Sequence, residues 1–244
     1  SFFNGAESAN AILTISDGNT EISSDIVPLI AVASEVVPTP PNNEIWYTSS
    51  DGNVVIPSDP KVFGANIISN TYIDGKGVIT FDGDVTQVGK NAFTNASYQN
   101  NTLQTIHLPN SVTSIGETAF WYCNLTKVTL PANLESVGSF AFRECALTEL
   151  TIPQNVVFID RYAFAGNYLT EVTNLSEVLT TLGQQPFGQQ KAEFKAFYGK
   201  LASKDNRCLI NNGVLIACAT AELTEYEISA DLTAIGDYVF CYNE

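Results

Sequence analysis

Methionine is missing altogether from these 244 residues, position 1 included. A chain without its initiator is expected to be a processed or trimmed product, with any export signal lying outside it. Histidine occurs once and the five cysteines show no CxxC spacing, so zinc lacks the three or four convergent ligands it needs. Basic residues are scarce, 11 Lys and Arg against 26 Asp and Glu, for a formal charge of −15. Such a surface has little with which to displace counterions from a phosphate backbone, which argues against nucleic acid as a partner. The acidic balance reads first as a solubility device. Apolar residues make up 45% of the chain, yet no apolar run approaches the 18 or so residues of a membrane span. The length suffices for one large core or two small ones.

What the chain does have is repetition. "LTKVTLPANLESVGSFAFRECA" at 125–146 returns at once as "LTELTIPQNVVFIDRYAFAGNY", and "LQTIHLPNSVTSIGETAFWYCN" precedes it. The unit is L-x-x-[IVL]-x-[IL]-P-x-x-[VL]-x-x-[IV]-G-x-x-A-F-x-x-C-x, and copies starting at Leu103, Leu125 and Leu147 are each 22 residues long. A fourth starts at Leu169 with one residue inserted near Asn174. A looser one ends in "VITFDGDVTQVGKNAF" (Val78 to Phe93), and a last one starts at Leu223. A fixed period of this size marks a stacked repeat array. Each unit holds two short alternating pieces, too short for helices. Proline at 109, 131 and 153 ends the first piece, since it cannot donate to a continuing ladder. Glycine at 89, 116, 138, 183 and 236 follows the second and is expected to mark a φ > 0 turn, with Asp160 tolerating that geometry in one copy. One unit alone cannot bury its apolar groups. Stacked units put Leu on Leu and Phe on Phe, with parallel strands about 4.8 Å apart. Phe93, Phe120, Phe142, Phe164, Phe187 and Phe240 are expected to form one interior column.

These landmarks, L-P, I-G and A-F-x-x-C at a 22- to 23-residue period, resemble the BspA-like leucine-rich repeat. The resemblance extends to the lead-in "NEIWYTSSDGNVV" and to "FKAFYGKLASKDNRCLINNGVLIACA", which is similar to the irregular insertion between repeat blocks of that class. It covers about 43–244. It implies an α/β-solenoid, mostly β and irregular, built as a right-handed leucine-rich repeat solenoid with short parallel strands. It also implies a surface protein of anaerobic gut or oral bacteria, associated with adhesion.

The expected organisation is a strand or cap segment with a Pro-rich linker at 1–42 and a repeat domain at 43–244, with an irregular insertion about 188–222. "VVPTPPNN" (Val36 to Asn43) reads as a stiff linker. Before it, "AILTIS" and "DIVPLIAVASEVV" read as one or two strands that either cap the first repeat or remain from a preceding module. "SSDGN" at 49–53 and "INNGV" at 210–214 are hairpin signals. Between Gln189 and Lys204, apolar residues at helical spacing read as a short helix or packed loop. The last copy stops where another would begin, so the natural chain is expected to continue, or that end to pack on another molecule by end-to-end self-association.

Catalytic constellations are hard to assemble from this sequence. His107 lies between Ile106 and Leu108, and alternation turns it outward with no Ser or Cys held against it. Cys123, Cys145 and Asn167 occupy one place in successive units, where each can donate to nearby backbone as a turn-stabilising ladder. Stacked Cβ atoms about 4.8 Å apart are too far for a bridge between the two cysteines. Cys208 and Cys218 flank the Asn-Gly hairpin but are not opposite in a two-residue-turn register, so the reading is against any disulfide. Asp82 and Asp84 in "FDGDV" lack the rest of a calcium loop and read as a turn. Asn95, Asn100, Asn124 and Asn174 satisfy N-x-[ST], a tripeptide common by chance.

What remains is a surface. The outward rows of the first strand pieces should be Thr105, Lys127, Glu149 and Glu171, alongside His107, Thr129, Thr151 and Thr173. On the second pieces Phe158 stands where sister units carry Ser114 and Ser136, a candidate contact residue that could equally pack locally. The array and the resemblance together lead to the expectation of a non-enzymatic, cofactor-free protein, exported as a lipoprotein to the cell surface or secreted. Its partner would be a host matrix or bacterial surface protein. The alternative is a carbohydrate-binding accessory of glycan uptake, stacking sugars on Trp46, Tyr47, Trp121, Tyr122 and Phe158. An enzyme would need paired carboxylates in a deep pocket.

Overall fold

The computed structural model describes residues 38–94, 102–219, 225–237, 239 and 240, with two short strands near the start. The chain divides into two compact units, Ser1–Pro38 and Thr39–Glu244. In the first, β1 (Ile15–Ser16) pairs antiparallel with β2 (Glu21–Ile22). The strand expected over 25–37 lies outside the described residues, as do Asn95, Asn100, the start of the last copy at Leu223 and the end at Glu244. Thr39 onward belongs with the second unit, where Pro40 is buried and the Asn42 and Asn43 carbonyls accept from the Val85 and Phe81 N–H groups.

The second unit opens with three antiparallel strands, β3 (Glu44–Ser49), β4 (Ile67–Ile73) and β5 (Lys76–Phe81). Asp74 and Gly75, both at positive φ, make the two-residue turn between β4 and β5. β3 lies in the middle, paired with β5 on one side and with the first repeat strand on the other. An otherwise open strand edge is thereby covered. "SSDGN" turns, with Asn53 N–H donating to Asp51, but residues 54–57 form no strand, so the expected hairpin is absent there. Instead the backbone at Val55 is held beneath β4, its N–H on the Tyr47 hydroxyl and its carbonyl on the Asn70 amide.

The repeats then stack as a solenoid with no helix among the described residues. Second-piece strands β6 (Gln87–Val88), β8 (Ser114–Ile115), β10 (Ser136–Val137), β12 (Phe158–Ile159) and β14 (Thr181–Leu182) form one parallel sheet in that spatial order. First-piece strands β7 (Leu103–His107), β9 (Lys127–Thr129), β11 (Thr151–Ile152), β13 (Glu171–Asn174) and β15 (Ala196–Gly199) line another side, with ladder pairing interrupted between β9 and β11. Each first piece through β11 ends just before its proline, whose carbonyl accepts the N–H three residues on, as from Val112 and Leu134. A third ladder joins the A-F turns: Phe93, Phe120 and Phe142 each donate at 2.7 Å to an alanine carbonyl in the following coil.

The glycines after the second pieces are not φ > 0 residues, and neither is Asp160. Their role is close approach. A Cβ on Gly116 would lie 2.7 Å from the Gly89 carbonyl carbon and the Lys90 nitrogen, and one on Gly138 would lie 2.8 Å from the Glu117 nitrogen. Positive φ falls two residues later, at Asn91, Thr118, Phe140, Tyr162 and Gln185.

The phenylalanine column forms. Ring centroids are 5.3, 4.9, 5.2 and 5.9 Å apart from Phe93 through Phe120, Phe142 and Phe164 to Phe187, all within 11° of parallel. Phe120, Phe142 and Phe164 have no exposed surface. Phe240 does not join. The insertion brings Phe197 edge-on and Phe194 tilted against Phe187, ending the stack, and Phe240 meets Tyr226 instead. The insertion is neither a helix nor a packed interruption, because β15 pairs parallel with β13 and prolongs the first-piece ladder. "INNGV" does form a hairpin, with β16 (Cys208–Asn211) and β17 (Val214–Cys218) around Asn212 and Gly213 at positive φ, and β18 (Ala234–Ile235) adds parallel to β17.

Cys208 and Cys218 form a disulfide, contrary to expectation. A bulge between Leu209 and Ile210 shifts the register by one residue and brings the two cysteines directly opposite. Cys123 and Cys145 are both buried.

Candidate interaction faces

The turn ladder at the cysteine position is present and extends one residue further than expected. Cys123 Sγ donates to the Phe93 carbonyl and Cys145 Sγ to that of Phe120, each at 3.1 Å. Asn167 Nδ2 donates to the Phe142 carbonyl at 2.8 Å, and Gln190 Nε2 to that of Phe164 at 2.8 Å. The amides also accept, Asn167 from Leu147 N–H and Gln190 from Leu169 N–H. Burial pushes the Cys145 thiol well above the usual range, so it is a packed donor and not a nucleophile. The two carboxylate oxygens of Asp82 are taken by the Asn66 backbone and side-chain amides, which holds its carboxyl below the usual range. Among the described residues no three His, Cys, Asp or Glu converge as for a metal ion. Of the two described sequons, Asn124 is exposed, while Asn174 is buried and donates to the Ser176 and Lys200 carbonyls.

Strand pairing brings together the residues of the predicted rows. His107 is in register with Trp46 on one side and Thr129 on the other. Thr151 is in register with Thr173, and Thr173 with the exposed Tyr198. In the neighbouring row Thr105 stands opposite Lys127 and shares a 2.7 Å hydroxyl contact with Thr48. Lys127 reaches across the break in the ladder to Glu149, at 2.8 Å. Glu149 and Glu171 are exposed. The His107 imidazole is held below its ordinary range by partial burial first, then by Lys127 and Lys76. It is therefore neutral at pH 7, and this face has a cationic centre at Lys76 and Lys127 with acids beyond.

The aromatics proposed for sugar stacking divide differently. Tyr47 is buried, its hydroxyl donating to Asn70. The alternation of "EIWYT" was open to either face, and packing beneath β4 decided it. Trp46 stays half-buried, but Lys76 Nζ lies 3.3 Å from its ring centroid and its indole N–H donates to Glu44. Phe158 is half-buried in register between Ser136 and Thr181. Trp121 and Tyr122 are half-buried with ring centroids 5.1 Å apart.

A second face escaped the sequence reading. The residue two before each A-F phenylalanine, at positive φ, is Phe140 in one copy and Tyr162 in the next, and their rings stack at 5.5 Å. Arg143 and Arg161 lie beside them. Aligning "SFAF" with "RYAF" places both rings at one repeat position, so the signal was there.

With the in-register coils and the phenylalanine stack established, the comparison with known families is direct. A family model described as the BspA type leucine rich repeat region matches residues 95–213 in six copies. The chain is a BspA-like leucine-rich repeat protein. No curated protein and no solved structure matches it, so no relative's ligand bears on this BspA-like solenoid. Such repeat folds typically serve as interaction scaffolds, presenting a broad surface instead of enclosing a small substrate.

Proposed function

We propose that this BspA-like protein is a non-enzymatic adhesin, secreted or held at the cell surface, that binds host matrix or bacterial surface proteins through its first-strand face. The observation that carries the reading is the extent of that face: Trp46, His107 and Thr129 share one register, Thr151, Thr173 and Tyr198 another, and Lys127 reaches Glu149 across the break between them. A row built from several coils offers spread-out contacts that a large partner can use and a small substrate cannot. The Cys208–Cys218 disulfide supports maturation in an oxidising compartment, as for an exported protein. With Tyr47 buried and Lys76 over Trp46, two of the rings suggested for sugar stacking are already taken up, which favours a protein ligand.

The test is binding of the purified chain to immobilised matrix proteins and to bacterial cells, with Lys127→Glu/Glu171→Lys as the variant. Loss of a central cation and reversal of an exposed acid should weaken binding about tenfold. Binding unchanged by both substitutions would remove the strand face from the proposal. Surface biotinylation of the producing cells tests the location, and labelling confined to lysed cells would count against export.

A further inference from the structure

The second face, along the A-F turns, has features that neither the core nor the strand face explains. Phe140 and Tyr162 occupy a left-handed backbone position, at φ 58° and 52°, which bulky side chains rarely adopt. Their rings stack 14° from parallel. The Arg143 guanidinium carbon lies 5.5 Å from the Phe140 centroid and 5.4 Å from that of Tyr162, and Arg161 lies 5.3 Å from Phe140. Two of the three arginines in a chain of charge −15 therefore flank one pair of rings.

The lysines nearby are already satisfied, Lys90 by Glu117 and Lys191 by Glu144. Neither the Arg143 nor the Arg161 guanidinium forms an ion pair with a carboxylate among the described residues. Arg143 makes one long contact, from Nη2 to Gln189 Oε1 at 3.5 Å, and its Nε has no hydrogen-bond partner among the described residues. Trp121 and Tyr122 lie one coil earlier, at the positions that become Arg143 and Glu144. Tryptophan, tyrosine and arginine are the residues that dominate protein–protein contacts.

We propose that this turn face binds an acidic segment of a partner polypeptide. A carboxylate is received by Arg143 and Arg161, and an adjoining apolar side chain lies against the edges of the Phe140 and Tyr162 rings. Charge complementarity selects the occupant, because a guanidinium matches a carboxylate with two parallel hydrogen bonds. The stacked rings turn their faces toward each other and the guanidinium groups, so an uncharged sugar has no open face here. The proposal rests on the reading of the chain as an interaction scaffold but puts a contact on a different side of the coil.

The experiment uses the full 244-residue chain and a fluorescein-labelled peptide alternating Glu with Phe, followed by fluorescence anisotropy. The same peptide with Gln for Glu should bind about tenfold more weakly, and Arg143→Gln/Arg161→Gln should weaken the acidic peptide by a similar factor. Lys127→Glu/Glu171→Lys should leave it unchanged. Equal binding of the Glu and Gln peptides, or full binding by the double glutamine variant, would overturn the assignment. So would loss of binding in the strand-face variant alone, which would leave the strand-face reading standing. Displacement of the peptide by oligogalacturonate at lower concentration than by unlabelled peptide would mark the site as a glycan site and overturn it as well. Arg161→Gln alone, at an exposed side chain, gives the decision should the double variant melt early; it too must weaken binding.

Discussion

Asn167 does with an amide what Cys123 and Cys145 do with a thiol: each donates to the phenylalanine carbonyl of the coil before it. Asn167→Ala strands the buried Phe142 carbonyl and Leu147 N–H and should cost about 2–4 kcal/mol, whereas Asn167→Cys keeps the donor and should cost about half that. Urea denaturation of the two variants decides whether the ladder works as one interchangeable bond. The raised Cys145 pKa gives a pH dependence with a definite sign. The folded chain keeps the thiol protonated while the unfolded chain ionises it, so the contribution is fully present below about pH 8.5 and is lost as pH rises beyond. Stability of the wild-type chain should therefore fall more steeply from pH 8.5 to 10 than that of Cys145→Ser, and parallel curves would show that the thiol is wetter than its packing implies. At this scale the ladder and the ring column were legible because residue type, period and burial all agree. The glycines were misread, since a sequence shows that Cβ is unwelcome without showing whether φ or a neighbouring backbone excludes it. Gly116→Ala separates these. It meets backbone at 2.7 Å and should cost well over the ~1 kcal/mol that Gly52→Ala, with positive φ and open space, loses to conformation alone.

Elements carried by turn chemistry were the easier ones to find. Asn212-Gly213 announced its hairpin, and Asp74-Gly75 offered the same cue for β4 and β5 although the repeat pattern drew the reading past it. The insertion was harder. Phe194, Phe197 and Leu201 fit a helical spacing, and only pairing with β13 makes 196–199 a strand. The disulfide was hidden for a related reason, because a one-residue bulge is invisible in sequence yet decides which cysteines face each other. Closing a loop of this size contributes about 2–3 kcal/mol to the hairpin that holds it. Reduction should thus raise hydrogen exchange in β16 and β17 while β10 and β12, stacked between intact coils, keep their protection. Uniform loss of protection across all four strands would instead mean that the hairpin and the repeat stack unfold as one.

Across the whole molecule, each coil buries itself only against its neighbours, so stability should scale with the number of coils and tolerate removal of an entire one. Deleting 125–146 is the cleanest test. It brings the Leu103 coil directly beneath the Leu147 coil, and every interface has a replacement. Phe164 would meet Phe120 in place of Phe142, and Asn167 would donate to the Phe120 carbonyl that Cys145 used. Ser114 would pair with Phe158 as Ser136 does. The shortened chain should fold cooperatively with a melting temperature lowered by several degrees, because one nearest-neighbour interface is lost and none is broken. Deleting 125–135, half a coil, shifts every inward residue out of phase and should leave no cooperative transition, although it removes fewer residues. Thermal circular dichroism of the two chains therefore separates length from register. A half-coil deletion as stable as the whole-coil deletion would mean that the phenylalanines and aliphatics do not depend on meeting their counterparts one turn away.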